Sequence, residues 1–182
     1  MVLDRFCPSE RVFSVGSVNL DELVKLGIKG VILDLDNTLV PWDEEDLDEA
    51  ALRWVEAAKS RGIRLCIASN SVRSRVEEIA RLLDLPAIPK AVKPRKKPFL
   101  RALEILGTEP GETAVIGDQL FTDVFGGNRL ALHTILISPL SDNELPTTRM
   151  VRRVEKRLVS HLEKKGRLPQ QQTPETSEEP RQ

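Results

Sequence analysis

Val31-Ile32-Leu33-Asp34-Leu35-Asp36-Asn37-Thr38-Leu39 is where the chain is most informative. Three branched apolar residues run straight into two aspartates spaced by one residue. An apolar run bounded by polar turn residues predicts a strand buried on both faces, here Val31 to Leu35. Asp34 and Asp36 then stand at its carboxyl end, the edge where open α/β sheets collect chemistry. Alternate strand residues project to one side, so both carboxylates can face one spot. Two carboxylates beside an apolar core are costly without a counter-charge, which predicts a cation near them. The competing reading of Asp36-Asn37-Thr38 is a turn with an Asx cap on the next element.

Working outward, Asn19 reads as a helix N-cap, with Asp21 and Glu22 in the first turn and Gly27 as the stop. Met1 to Val18 predicts only a surface-packed arm. Downstream, a helix from Leu47 to Ser60 puts Leu47, Ala51, Trp54 and Ala58 on one face. Strand Arg64 to Ala68 follows and runs into Ser69-Asn70-Ser71. The next helix has Val72, Val76, Ile79 and Leu83 in register, and Leu85 to Ala91 reads as a short, proline-interrupted strand. Lys93-Pro94-Arg95-Lys96-Lys97-Pro98-Phe99 opens a helix closed by Gly107. Strand Thr113 to Ile116 leads into Gly117-Asp118-Gln119-Leu120-Phe121-Thr122-Asp123, a short helix ends near Gly126-Gly127, and His133 to Ile137 is the last predicted strand. Strands alternating with helices argue for parallel βαβ units with right-handed crossovers, a three-layer, doubly wound α/β fold.

Thr148 to Lys165 predicts a final helix. Met150, Val151, Val154, Leu158 and Leu162 share one side, read as packed on the sheet. Arg152, Arg153, Lys156 and Arg157 occupy the rest. Residues 1–168 read as one domain and 169–182 as a polar, disordered tail.

Composition narrows the function. A net charge of −1 over 182 residues carries no nucleic-acid signature, so no nucleic acid is expected. Two distant cysteines, Cys7 and Cys66, give neither a disulfide framework nor a zinc pattern, which makes a reducing, cytoplasmic setting the default. No apolar run approaches the length of a membrane span.

Four predicted strand ends carry Asp34-x-Asp36, Ser69-Asn70, Lys93 and Gly117-Asp118. Carboxylates, a hydroxyl, an ammonium and a glycine turn on one sheet edge suit phosphoryl transfer. Mg²⁺, which takes oxygen ligands and bridges to phosphate, is the expected cofactor.

These segments resemble the four motifs of haloacid-dehalogenase-type phosphatases. Asp34-Leu35-Asp36-Asn37-Thr38 is similar to the first, Ser69 to the second, Lys93-Pro94 with Phe99 to the third, and Gly117 to Asp123 to the acidic fourth. The resemblance covers Gly27 to Ile137. Phe6-x-Pro8-Ser9-Glu10, Gly27 to Gly30, Gly126-Gly127-Asn128-Arg129 and the basic last helix further resemble the YqeG-type branch, related to phosphatidylglycerophosphate phosphatases.

The resemblance implies a phosphate monoesterase working through an aspartyl-phosphate. Asp34 would be nucleophile and Mg²⁺ ligand. Asp36 would be acid and then base, with its main-chain carbonyl on the metal. Asp118 would be the second carboxylate ligand, and Asp123 would hold a metal-bound water or orient Lys93. Ser69 would bond a phosphoryl oxygen and Lys93 would offset charge. Asn70 and Thr38 are candidate substrate contacts. Alternatives stay open: Ser69 as an N-cap, Lys97 in place of Lys93, Asp123 as a capping acid, Trp42 as packing.

Neither Thr38 to Arg64 nor Asn70 to Lys93 has room for a cap domain, so an open, capless site is expected. That suits a large phosphorylated substrate, an anionic lipid headgroup among them, with the basic last helix as a peripheral contact at an inner membrane surface. Arg73, Arg75, Arg95 and Lys96 are placed at the mouth. The competing functions are a phosphatase of a soluble sugar phosphate, nucleotide or phosphoprotein, and a non-catalytic, nucleic-acid-associated docking protein on the same fold.

Overall fold

A computed structural model describes residues 2–43, 46–141 and 146–172. Seven parallel strands form one sheet: β1 Glu10–Val12, β2 Gly30–Leu33, β3 Arg64–Ala68, β4 Ala87–Ile88, β5 Thr113–Gly117, β6 His133–Ile137 and β7 Gln171–Gln172. Their order is β4-β3-β2-β5-β6-β1-β7, and every pairing is parallel. The helices are α1 Leu20–Lys25, α2 Glu49–Ser60, α3 Arg73–Leu82, α4 Lys96–Leu106, α5 Phe125–Asn128 and α6 Pro146–Lys164.

The central strands split their side chains between two apolar layers. Val31, Leu33, Leu65, Ile67, Ala114 and Ile116 meet Ala51, Trp54 and Val55 of α2 and Val76 and Ile79 of α3. The alternate residues Ile32, Cys66, Ala68 and Val115 meet Phe99, Ala102, Leu103 and Leu106 of α4. A strand buried on both faces needs such a continuous apolar run, and the two layers make the three-layer sandwich the pattern predicts. No cap interrupts it among the described residues: there, only α2 is formed between Thr38 and β3, and only α3 and β4 between Asn70 and Lys93.

The local signals hold at several ends. Asn19 Oδ1 accepts from the N–H groups of Asp21 and Glu22, capping α1. Asp48 caps α2 through Ala51 N–H. Gly107 ends α4 with φ of 60°, a conformation glycine adopts without penalty.

The two chain ends differ from expectation. Residues 10–12, read as part of a surface arm, form β1 and pair with β6 on one side and β7 on the other. Val12, Val15 and Val18 are buried. Gln171–Gln172 is a strand inside the stretch expected as a tail, while 173–182 lie outside the described residues.

Helix α6 is turned differently from its apolar pattern. Val151 and Val154 are exposed, and the buried positions are Arg152, Glu155 and Leu162, with Leu158 and Val159 half-buried. The side chain of Met150 lies outside those described. The reason is a pair of inward charges with partners in the sheet-edge loop. No helix of the described residues is long and apolar enough to cross a membrane.

Candidate active site

Strands β2 and β5 are neighbours, paired Gly30 with Thr113 through Leu33 with Ile116. That register brings the residues just past their carboxyl ends together. Asp34 follows β2 and remains tied to it, donating its N–H to Ile116 O at 2.9 Å. Asp118 follows β5. Asp123 returns to the same place from a π-helical turn, Leu120–Val124.

Gly117 makes that return feasible. A Cβ there would overlap the Asp123 carboxylate. Asp34, Asp118 and Asp123 are all buried, and each offers an oxygen within 4.8 Å of the others. Lys93, also buried, donates from Nζ to Asp34 Oδ1 at 2.7 Å and to Asp123 Oδ1 at 2.6 Å. Lys97 is exposed on α4, so Lys93 is the lysine that enters the cluster.

Charge and burial oppose each other here. Burial has the largest influence on Asp34 and pushes its carboxyl up to about 8; the Lys93 ammonium pulls it down, and Asp123 and Asp118 add to the rise. Burial likewise lifts Asp118 to about 6 against the Arg152 guanidinium. Burial would lower Lys93, but the charges and hydrogen bonds of Asp123 and Asp34 outweigh it and hold the ammonium protonated.

Three buried carboxylates face the Lys93 ammonium and the Arg152 guanidinium, an excess of acidic groups that a divalent cation would offset. Asp118 Oδ1 is buried without a hydrogen-bond partner among the described residues. An all-oxygen donor set with an orphaned carboxylate oxygen fits a hard cation such as Mg²⁺.

Asp36 is held apart from this trio. Its Oδ1 accepts from Arg75 Nε at 2.9 Å, and its Oδ2 accepts from the Ser71 hydroxyl. Its carboxylate is outside the cation-ready group, although both it and Asp34 line a cavity of about 510 Å³. Arg75 also reaches Pro41 O at 2.8 Å, so one guanidinium links α3 to the loop after β2.

The other predicted site residues are sorted by the fold. Ser69 lines the cavity, and its Oγ accepts from Ser71 N–H at 3.1 Å. Asn70 lines it too, but its amide is engaged: Oδ1 accepts from Lys93 N–H at 2.7 Å and Nδ2 donates to Lys93 O at 3.3 Å. Asn70 therefore clamps the Lys93 backbone. Thr38 is buried and not on the cavity wall, and its hydroxyl has no partner among the described residues. Asp123 Oδ1 accepts from Lys93 Nζ, a contact that suits orienting the lysine.

Trp42, read as packing, lies on the cavity wall, as do Val72, Gln119 and Thr122. Asn37 turns the chain there, with φ of 59° and its Oδ1 accepting from Trp42 N–H. Of the basic residues expected at the mouth, Arg75 lines the cavity and Arg73 pairs with Glu77; Arg95 and Lys96 are exposed. Sequence reading missed Ser71 and Gln119 as wall residues, although Ser71 adjoins the second motif and Gln119 lies within the fourth.

Helix α6 reaches the cluster from behind. Arg152 donates from Nη2 to Asp118 Oδ2 at 2.5 Å and from Nη1 to Asp118 O at 2.7 Å. Glu155 Oε1 accepts from Phe121 N–H at 2.8 Å. Nothing in the hydropathy pattern pointed to either residue.

Residues 41–130 match the model of the haloacid dehalogenase-like hydrolases. The chain is 40% identical over 163 residues to "Probable phosphatase YqeG" of Bacillus subtilis (strain 168), spanning 90% of this chain and 95% of that one. It is 30% identical over 172 residues to the chloroplastic/mitochondrial "Phosphatidylglycerophosphate phosphatase 1" of Arabidopsis thaliana, spanning 89% of this chain and 49% of the relative. A solved structure, an uncharacterized protein from Listeria monocytogenes serotype 4b, superposes with a TM-score of 0.52 at 20% identity, covering 65% of this chain and 85% of that chain; this likeness concerns the fold alone.

Proposed function

This chain belongs to the haloacid dehalogenase-like hydrolases, in the YqeG-type branch, and from that membership we propose that it is a Mg²⁺-dependent phosphate monoesterase working through an aspartyl-phosphate. The observation that carries the reading is the buried Asp34–Asp118–Asp123 group meeting Lys93 Nζ at the carboxyl edge of the sheet.

Asp34 would attack the phosphorus, forming a new O–P bond as the P–O bond to the substrate alcohol breaks. Asp36 would give its proton to the departing alkoxide, which leaves as the alcohol. In the second half Asp36 would take a proton from water as that water attacks phosphorus. The Asp34 O–P bond then breaks, releasing inorganic phosphate and restoring the carboxylate. Lys93 would keep Asp34 oriented and offset phosphoryl charge. Ser69 Oγ, on the cavity wall, would donate to a phosphoryl oxygen. Mg²⁺, held by Asp34, Asp118, the Asp36 carbonyl and, through water, Asp123, would supply charge neutralisation for the phosphoryl oxygens.

Asp36 must turn from Arg75 and Ser71 toward the leaving group to serve as acid. An arriving anion gives Arg75 an alternative partner, so substrate binding and release of Asp36 would be linked.

For the substrate, we propose an anionic phospholipid monoester of the phosphatidylglycerophosphate type. The support is the Arabidopsis relative's name, the uncapped cavity and Arg75 at its wall. The test is Mg²⁺-dependent phosphate release from phosphatidylglycerophosphate in mixed micelles, beside soluble phosphate esters, with Asp34→Asn as the control. Lipid turnover that Asp34→Asn abolishes is expected. Release from soluble esters alone keeps the chemistry and discards the lipid; no release from a folded, Mg²⁺-loaded protein discards both.

A further inference from the structure

The last helix contributes to the acidic cluster, although it lies outside residues 41–130, which match the model of the hydrolase family. Arg152 places one arm on the Asp118 carboxylate and the other on the Asp118 main-chain carbonyl. A lone ion pair would fix only the side chain. The double contact fixes side chain and backbone together.

Glu155, one turn further on, takes the N–H of Phe121 in the π-helical turn that delivers Asp123. It also lies 3.7 Å from Arg152 Nη1, so the two arms steady each other. Leu158 and Val159 pack on Leu120 and Val124 of that turn, docking the helix by apolar contact. Both charged residues are more than nine-tenths buried, with relative exposures of 9% and 4%. Burying two charges on an otherwise amphipathic helix is costly unless each is satisfied.

We propose that Arg152 and Glu155 are positioning residues of the cation site: they hold the Asp118–Asp123 loop so that Asp118 keeps one oxygen for Arg152 and presents Oδ1 to the metal. This rests on the metal-dependent reading above. Partners that orient metal ligands typically contribute 10–100-fold in metal affinity or activity.

Arg152→Lys is the discriminating variant, because it keeps the charge and loses the fork that reaches carboxylate and carbonyl at once. In the full-length protein, Mn²⁺ binding followed by electron paramagnetic resonance should weaken on the order of tenfold. At saturating metal, kcat should fall with KM unchanged. Arg101→Lys, exposed on α4, should match wild type in both readouts. Arg152→Met should be no better than Arg152→Lys.

Native Mn²⁺ affinity in a folded Arg152→Lys protein overturns the proposal, since charge alone would then suffice. Should that variant fail to fold, Glu155→Asp, which withdraws the arm from Phe121 N–H at constant charge, takes its place with the same expected and overturning results. A wild-type protein that binds no Mn²⁺ overturns both this proposal and the metal-dependent function. A wild type that binds it beside an unaffected Arg152→Lys overturns this one alone.

Discussion

Gly117 and Asp123 occupy each other's space: the carboxylate of Asp123 lies where any side chain at 117 would begin. The glycine ending β5 is therefore a packing requirement of the acidic cluster. Gly117→Ala should push Asp123 away from Lys93, destabilise the fold by about 1–3 kcal/mol through overpacking, and weaken Mn²⁺ binding. Denaturant unfolding and a metal titration on the same preparation check both effects. Unchanged metal affinity would separate Asp123 from the cation site.

Lys93 is the ammonium that bridges Asp34 and Asp123. Lys93→Met leaves those carboxylates without it, and breaking a buried pair from one side costs about 3–5 kcal/mol. We expect that loss in the metal-free protein by urea unfolding, and a smaller one with saturating Mg²⁺. Equal losses in both states would mean that the cation and the lysine do not share the same charges.

Metal-free stability should fall as pH rises. Folding lifts Asp34 from 3.8 to about 8, Asp118 from 3.8 to about 6 and Glu155 from 4.5 to about 7, burial being the largest cause for each. Between the unfolded and folded values the native protein holds protons that the unfolded chain has released, so deprotonation favours unfolding. Lys93 is raised above 10.5, and its contribution is constant through this window. Calorimetry on resin-stripped protein should give a lower Tm at pH 8 than at pH 5. Mg²⁺, which binds the deprotonated carboxylates, should narrow or reverse that difference.

Asp36→Asn should discriminate by leaving group. Alkyl phosphates need a proton at departure, and losing the general acid should slow them roughly 10²–10⁴-fold. A nitrophenyl ester departs as a stable phenolate, so its first phosphoryl transfer should be largely spared. The second step lacks its base, so a burst of nitrophenolate followed by slow turnover is expected in stopped flow. Uniform slowing of both substrates without a burst would remove Asp36 from the acid role.

Long, uniform elements were legible from sequence. β2, β3, β5 and β6 are built on apolar runs of three or four residues, and α2, α3 and α4 carry clear apolar faces, so the order of layers followed. The site was legible because its carboxylates, serine and lysine fall at strand ends, and a parallel sheet puts those ends on one edge. Strand β1 was not legible: Glu10-Arg11-Val12 has no apolar run, and its place beside β6 depends on pairing across more than a hundred residues. The turn of α6 was not legible either. Periodicity treats Val151 and Val154 as inward and Arg152 and Glu155 as outward, because it cannot register a charge whose partner lies 34 residues upstream.

The same 34-residue separation between Asp118 and Arg152 has a consequence for synthesis. A ribosome adds residues at roughly 5–20 per second, so about 2–7 s pass between making the aspartate and making its clamp. From Asp123 onward the emerging chain carries all three acids of the cluster and Lys93, while Arg152 is still to come. Asp118 gains its Arg152 partner only once α6 has cleared the exit tunnel, which makes the acidic cluster a late part of the nascent protein to be completed.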